Sequence, residues 1–99
     1  MNTDAEKYLK KMLGKLTLGM AIRSIRQCEE ESQVIFAKKI GVSTQFLCDL
    51  EHNRRIVSPK KAKEFAEKLG YSPQQFITLA IQDSFKQDGI NMIVEVKAA

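Results

Sequence analysis

Residues 32–51 form the pattern that most constrains the fold, because they read as two short helices joined by a tight turn. Ser32 and Ser43 each precede a helical pattern, and a serine hydroxyl accepts hydrogen bonds from the unpaired N–H groups of a first turn. Gly41 supplies a residue that adopts the left-handed conformation in which helices often end. The apolar residues that fill the angle between the two helices are Phe36, Ile40, Val42, Leu47 and Leu50. The segment therefore predicts two helices that cross at an angle.

The second helix of this pair has an outward face of short polar side chains, namely Thr44, Gln45, Cys48 and Asp49. A short helix that starts with a cap and carries such side chains near its N-terminus fits the major groove of DNA. The pattern is the helix-turn-helix arrangement. The alternative interpretation of Thr44 and Gln45 is an ordinary polar helix start.

Residues 18–76 resemble the Cro/cI-type helix-turn-helix domain of phage repressors and their bacterial relatives, the Xre family. The matching segments are Ala21-Ile22-Arg23-Ser24-Ile25-Arg26, Ser32-Gln33, Phe36-Ala37, Ile40-Gly41-Val42-Ser43, Leu47, Leu50-Glu51, Ser58-Pro59, Ala66 and Leu69-Gly70-Tyr71-Ser72. The resemblance implies an all-α fold, with five helices in a helix-turn-helix domain over residues 15–88.

The same resemblance implies which residues reach DNA. Thr44, Gln45 and Asp49 match positions that contact base edges, and Cys48 lies on the groove side of the same helix. A glutamine amide pairs bidentately with adenine, and an aspartate accepts from cytosine, although it also repels phosphates. Gln33 matches a position whose amide binds a phosphate and steadies the first recognition residue.

Positive charge is concentrated after the predicted recognition helix. The chain carries a net charge of +4, and His52–Lys63 contains five lysines and arginines and no acidic residue. Arg54 and Arg55 are the predicted phosphate contacts, and Arg23 is a third candidate. A solvated loop is the alternative interpretation of this stretch.

Two further positions have structural roles by resemblance. Arg26 and Glu51 match a mostly buried ion pair that ties the first helix to the end of the recognition helix. Asn53 stands where the family often has glycine, and asparagine tolerates the left-handed conformation.

Residues 1–14 predict an amphipathic helical extension. Tyr8, Leu9, Met12 and Leu13 share one helical face, and Gly14 ends the pattern. A helix this short needs a surface to pack against, which is its own domain, a sister subunit or another protein. A frayed tail is the alternative.

Residues 89–99 predict a C-terminal β-strand after Gly89. Ile90, Met92, Val94 and Val96 alternate with the residues between them, which is the period of a half-buried strand. A single strand leaves its backbone groups unpaired, so pairing with the same strand of a second copy predicts a homodimer. The alternatives are strand addition to a different protein and a disordered end.

Several function classes are excluded by the sequence. A chain of 99 residues makes one domain, and it lacks an apolar run of 18 residues, so no membrane partner is expected. The charged N-terminus predicts a cytoplasmic protein with Cys28 and Cys48 as free thiols. His52 is the single histidine, which excludes two-histidine metal sites and histidine-based catalytic sets. We therefore expect no enzyme activity, no metal and no cofactor.

The sequence favours a sequence-specific DNA-binding transcriptional regulator that binds a palindromic operator in double-stranded DNA as a homodimer. Two versions stay open, a stand-alone repressor and an antitoxin that represses its own operon. In the antitoxin version the toxin protein is held by residues 1–14 or 90–99, because small Xre-type proteins with extra segments often resemble antitoxins. The alternative class is a protein-interaction adaptor that kept the fold and lost DNA binding.

Overall fold

A computed structural model describes residues 16–99, and this part of the chain is helical with a non-helical tail. The helices are α1 (Leu18–Cys28), α2 (Gln33–Ile40), α3 (Thr44–Glu51), α4 (Pro59–Leu69) and α5 (Pro73–Gln87). The predicted all-α domain is therefore confirmed over residues 16–88. The helical extension predicted for residues 1–14 lies outside the described residues.

Hydroxyl caps begin all five of these helices. Ser32, Ser43, Ser58 and Ser72 each accept a hydrogen bond from the backbone N–H three residues later, over 3.0–3.4 Å. The caps at Ser32 and Ser43 were predicted from the sequence. Thr17 caps α1 in the same way, at 3.0 Å from the backbone nitrogen of Met20. Local side-chain chemistry thus sets where each helix starts.

One core lies between the helices. Its buried side chains are Leu18, Ile22, Phe36, Ala37, Ile40, Leu47, Leu50, Val57, Ala62, Phe65, Ala66, Phe76, Leu79 and Ala80. The predicted filling of the angle between α2 and α3 is confirmed, with Val42 partly buried at its edge. Gly19 lets α1 cross α3 at close range, because a Cβ at this position would lie only 1.8 Å from the carbonyl oxygen of Leu50. The core therefore holds α3 by its inner face and leaves the outer face free.

The C-terminal strand predicted for residues 89–99 is wrong, since the described residues contain no strand. The tail has no regular secondary structure, and its alternation survives as a difference in burial. Val94 and Val96 are half-buried, whereas Ile90 and Met92 are exposed. The alternating pattern therefore correctly predicted that Val94 and Val96 are half-buried. The prediction that the tail pairs with a neighbouring strand was wrong.

Glutamine side chains on α5 make the backbone hydrogen bonds to the tail that the prediction assigned to a neighbouring strand. The tail folds back along α5, where the Gln82 amide donates to the Met92 carbonyl over 2.7 Å and accepts from the Val94 N–H over 2.9 Å. Nearer the start of α5, Gln74 donates to the Val96 carbonyl. These bonds satisfy backbone groups that the strand prediction assigned to a second chain.

Candidate nucleic-acid interface

The outer face of α3 presents the residues predicted to read bases. Thr44 and Gln45 are exposed in the first turn, and Cys48 and Asp49 are partly exposed one turn later. The opposite face is anchored in the core by buried side chains such as Leu47. The helix is therefore rigidly held with its polar N-terminal half facing solvent.

Hydrogen bonds join four of the predicted DNA contacts into one network. Asp49 Oδ1 accepts from Gln45 Nε2 and from Arg54 Nε, each over 3.0 Å. Arg54 Nη2 also lies 3.5 Å from Cys48 Sγ. The hydrogen bond from Arg54 holds the pKa of Asp49 below its ordinary value, against the opposing effect of desolvation. Asp49 is therefore ionised and paired, and Arg54 compensates its charge.

Arg55 is positioned by an aromatic ring. Its guanidinium lies 4.4 Å from the centroid of Phe46, within the range of a cation–π contact. Phe46 in turn packs edge-on against Phe65, with ring centroids 6.4 Å apart. Arg55 is exposed, so its charge is available at the surface.

The loop between α3 and α4 is fixed at its first residues. Asn53 adopts a left-handed conformation with φ of +60°, as predicted. Its Oδ1 accepts from Thr17 Oγ1 over 2.6 Å, which ties the loop to the start of α1. The backbone nitrogen of Arg54 donates to the Asp49 carbonyl over 2.8 Å. Arg54 and Arg55 therefore leave α3 from a defined backbone.

A buried ion pair supports α3 from behind. Arg26 donates through Nε and Nη2 to the two carboxylate oxygens of Glu51, over 2.7 and 2.9 Å. The Glu51 side chain is completely buried. Burial opposes its ionisation, but the hydrogen bonds from Arg26 and Gln33, with the charges of Arg26 and Arg23, lower its pKa overall.

Gln33 and Arg23 lie away from the network on α3. Gln33 Nε2 donates to Glu51 Oε1 over 3.0 Å, so its amide braces the ion pair in the structure. Arg23 is on the exposed face of α1. Their contacts with phosphate stay predictions.

Comparison with known proteins identifies the central part of this arrangement. The family model described as helix-turn-helix matches residues 32–76, which span α2, α3, α4 and the start of α5. Residues 32–76 thus match a helix-turn-helix family, consistent with the Cro/cI type. The resemblance found in the sequence is thus confirmed for this segment, while α1 lies outside the match. No curated protein and no solved structure matches the chain.

The described residues contain two polar clusters that sequence reasoning missed. Lys39 Nζ lies 2.9 Å from Glu29 Oε2 and 3.1 Å from Glu31 Oε1. The acidic residues before α2 therefore form salt bridges with a lysine on α2. Only the opposite charges of these segments signalled the contact in the sequence.

The second missed cluster joins α5 to the start of α1, beside the helix-turn-helix domain. Asp83 is 7% exposed, and its Oδ2 accepts from the Leu18 N–H over 3.1 Å. Its Oδ1 has no partner in the described residues, and burial raises the pKa of this carboxyl group.

No helix among residues 16–99 is long and apolar enough to cross a membrane.

Proposed function

We propose that this protein is a sequence-specific DNA-binding transcriptional regulator that acts as a dimeric repressor of its own operon. The observation that carries the proposal is the exposed network of Gln45, Asp49 and Arg54 on the second helix of a helix-turn-helix domain. The network presents an amide, a carboxylate and a guanidinium from a rigid helix. These groups read base edges and bind phosphates.

Gln45 is the residue proposed to read a base. Its side chain is exposed in the first turn of α3, and the bond to Asp49 already orients its amide. An oriented amide loses less rotamer freedom when it pairs with adenine N6 and N7. Asp49 then accepts either from Gln45 or from a cytosine amino group.

Arg54 and Arg55 are proposed to bind the phosphates beside the groove. Arg54 is held by Asp49 and Arg55 by the ring of Phe46, and both side chains are exposed. Each phosphate that an arginine neutralises adds about 0.9 to the magnitude of the salt slope of binding.

A dimer suits this site because one recognition helix contacts few base pairs. Two copies that place their α3 helices about 34–36 Å apart would bind the half-sites of a palindromic operator. A dimer bound at its own promoter would exclude the polymerase, which is the basis of the proposed repression. An antitoxin role remains a prediction, because nothing in the described residues bears on a toxin.

Fluorescence anisotropy tests this proposal with wild-type protein and two duplexes, the DNA immediately upstream of the gene and a scrambled version. We expect tight, salt-sensitive binding to the upstream duplex. Gln45→Ala should weaken that binding by about 1–3 kcal/mol and leave scrambled DNA nearly unaffected. Gln27→Ala, at an exposed glutamine of α1, is the matched control.

The outcomes separate the competing functions. Equal losses on both duplexes would contradict a base-reading role for Gln45. Equal weak binding of the wild type to both duplexes would contradict autoregulation and favour distant target sites. No binding even at low salt would favour the interaction adaptor.

A further inference from the structure

The face of α5 that holds the tail is built to bind an extended backbone. Gln82 is 6% exposed, and both polar groups of its amide bond the main chain, one to Met92 and one to Val94. With the bond from Gln74 to Val96, these contacts recognise carbonyl and N–H groups, regardless of which copy of the chain supplies them. We call this face, defined by Gln74 and Gln82, the tail site.

A very short hinge connects α5 to the tail. Asp88 and Gly89 reverse the chain direction, and Gly89 takes a φ of +72°. The turn is closed by hydrogen bonds from Gly89 to the Lys86 carbonyl and from Ile90 to the Phe85 carbonyl. A short connection favours exchange of a terminal segment between copies, because the exchanged segment keeps the same docking contacts in the other copy.

When the tail lies in the tail site of its own chain, three of its apolar side chains remain exposed. Ile90, Met92 and Ile93 are 39%, 68% and 58% exposed. Three neighbouring side chains of this size would gain from burial against a partner. The tail therefore uses one side for the tail site and leaves apolar groups exposed around it.

We propose that two copies of this chain exchange residues 90–97, so that the tail of each copy lies in the tail site of the other. A second copy fits because it brings an identical tail and an identical tail site, and one exchange therefore forms both junctions. The hinges of the two copies come together at a two-fold axis, and the exposed apolar side chains near them are covered there. No pairing of β-strands is involved.

This inference deepens the proposed function by naming the contact that makes the dimer. Exchange would link the two copies through the ends of their α5 helices. The experiment below contains no DNA, so its failure and the failure of DNA binding are distinguishable.

Sedimentation equilibrium of the full chain over a concentration series tests the exchange. We expect a reversible dimer for the wild type. Gln82→Ala should weaken dimerisation roughly tenfold or more, because the amide that binds Met92 and Val94 is lost. Gln27→Ala, at an exposed glutamine of α1 far from the hinge in sequence, should not alter it. A monomeric wild type, or an unchanged dimer in Gln82→Ala, would overturn the proposal.

Lengthening the hinge provides a second test that leaves α5 intact. A short Gly-Ser insertion after Gly89 lengthens the connection and favours docking of the tail within its own chain, so we expect the insertion variant to shift toward the monomer. A dimer held by any other surface would be unaffected by this insertion, and that result would overturn the exchange. Circular dichroism checks that each variant keeps its helices.

Mixing two complementary variants tests whether the tail of one copy binds the tail site of another. A chain that ends at Gly89 keeps the tail site and lacks the tail, whereas Gln82→Ala keeps the tail and lacks a working site. Each variant alone should be mostly monomeric. Their equimolar mixture should form a heterodimer by native mass spectrometry, and its absence would contradict the exchange.

Discussion

Replacing Arg26 with methionine isolates the ion pair that supports α3. Arg26→Met keeps an unbranched side chain and removes the guanidinium. Glu51 then loses two hydrogen bonds and keeps only the one from Gln33, while its side chain remains completely buried. The Glu31 carbonyl also loses its bond from Arg26 Nη1, which is 3.0 Å long in the wild type.

The expected loss of stability is large because the remaining charge is buried. Breaking one partner of a buried pair lowers the free energy of unfolding by roughly 3–5 kcal/mol. In a domain of this size that corresponds to a fall in Tm on the order of 10–40 °C. The matched control is Lys61→Met, since Lys61 and Glu64 are 3.5 Å apart with side chains 40% and 41% exposed. Such exposed pairs contribute about 0–1 kcal/mol.

The pH dependence gives the prediction a second signature. In the wild type the pKa of Glu51 is lowered, so its stabilisation is complete above the unfolded carboxyl pKa of about 4.3 and is lost as pH falls through the folded value. In Arg26→Met, burial dominates and raises that pKa. The stability deficit of the variant should therefore grow as pH rises from about 4 to 7.

Urea unfolding followed by circular dichroism, at acidic and neutral pH, measures both effects. At neutral pH, we expect Arg26→Met to lose much more free energy of unfolding than Lys61→Met. In acid, the loss for Arg26→Met should be smaller than at neutral pH. Similar losses in the two variants, or a deficit that does not change with pH, would refute it.

Three further perturbations address other parts of the account. Gly19→Ala places a Cβ only 1.8 Å from the Leu50 carbonyl oxygen, so α1 must move away from α3 and the urea midpoint should fall; an unchanged midpoint would contradict the close crossing. Burial raises the pKa of Asp83, so its ionisation destabilises the fold. The free energy of unfolding of Asp83→Asn should therefore rise relative to that of the wild type as pH rises above about 4. A stability difference without pH dependence would oppose that interpretation. Arg54→Met should reduce the magnitude of the salt slope of DNA binding by about 0.9, and an unchanged slope would remove Arg54 from the phosphate contacts.

The helix boundaries and the core were predictable because their causes are local. Ser43 and Gly41 act on the adjacent turn, and the apolar spacing of each helix defines its buried face. The close crossing at Gly19 was not predicted, since it depends on where α3 lies in space. Thr17 likewise became recognisable as a cap only with the start of α1 known.

The candidate site was predictable as a set of residues but not as a network. Gln45, Asp49 and Arg54 were assigned to DNA one by one, whereas the structure joins them through a shared carboxylate oxygen. Gln33 was assigned to a phosphate by resemblance, and its amide donates to Glu51 in the structure. Side-chain pairing of this kind depends on rotamers that sequence spacing does not determine.

The tail shows why a periodic pattern alone does not identify a partner. Alternation correctly indicated that Val94 and Val96 are more buried than their neighbours. It did not reveal that side-chain amides could replace a neighbouring strand. Gln82 had to be placed on α5 before it could be recognised as the group that binds the tail.

A chemical-shift titration of ¹⁵N-labelled protein with the upstream duplex tests whether the outer face of α3 and the following loop bind duplex DNA. We expect the largest amide shifts at Thr44, Gln45, Asp49, Arg54 and Arg55. Shifts concentrated on α5 and the tail, or no shifts at low salt, would contradict it.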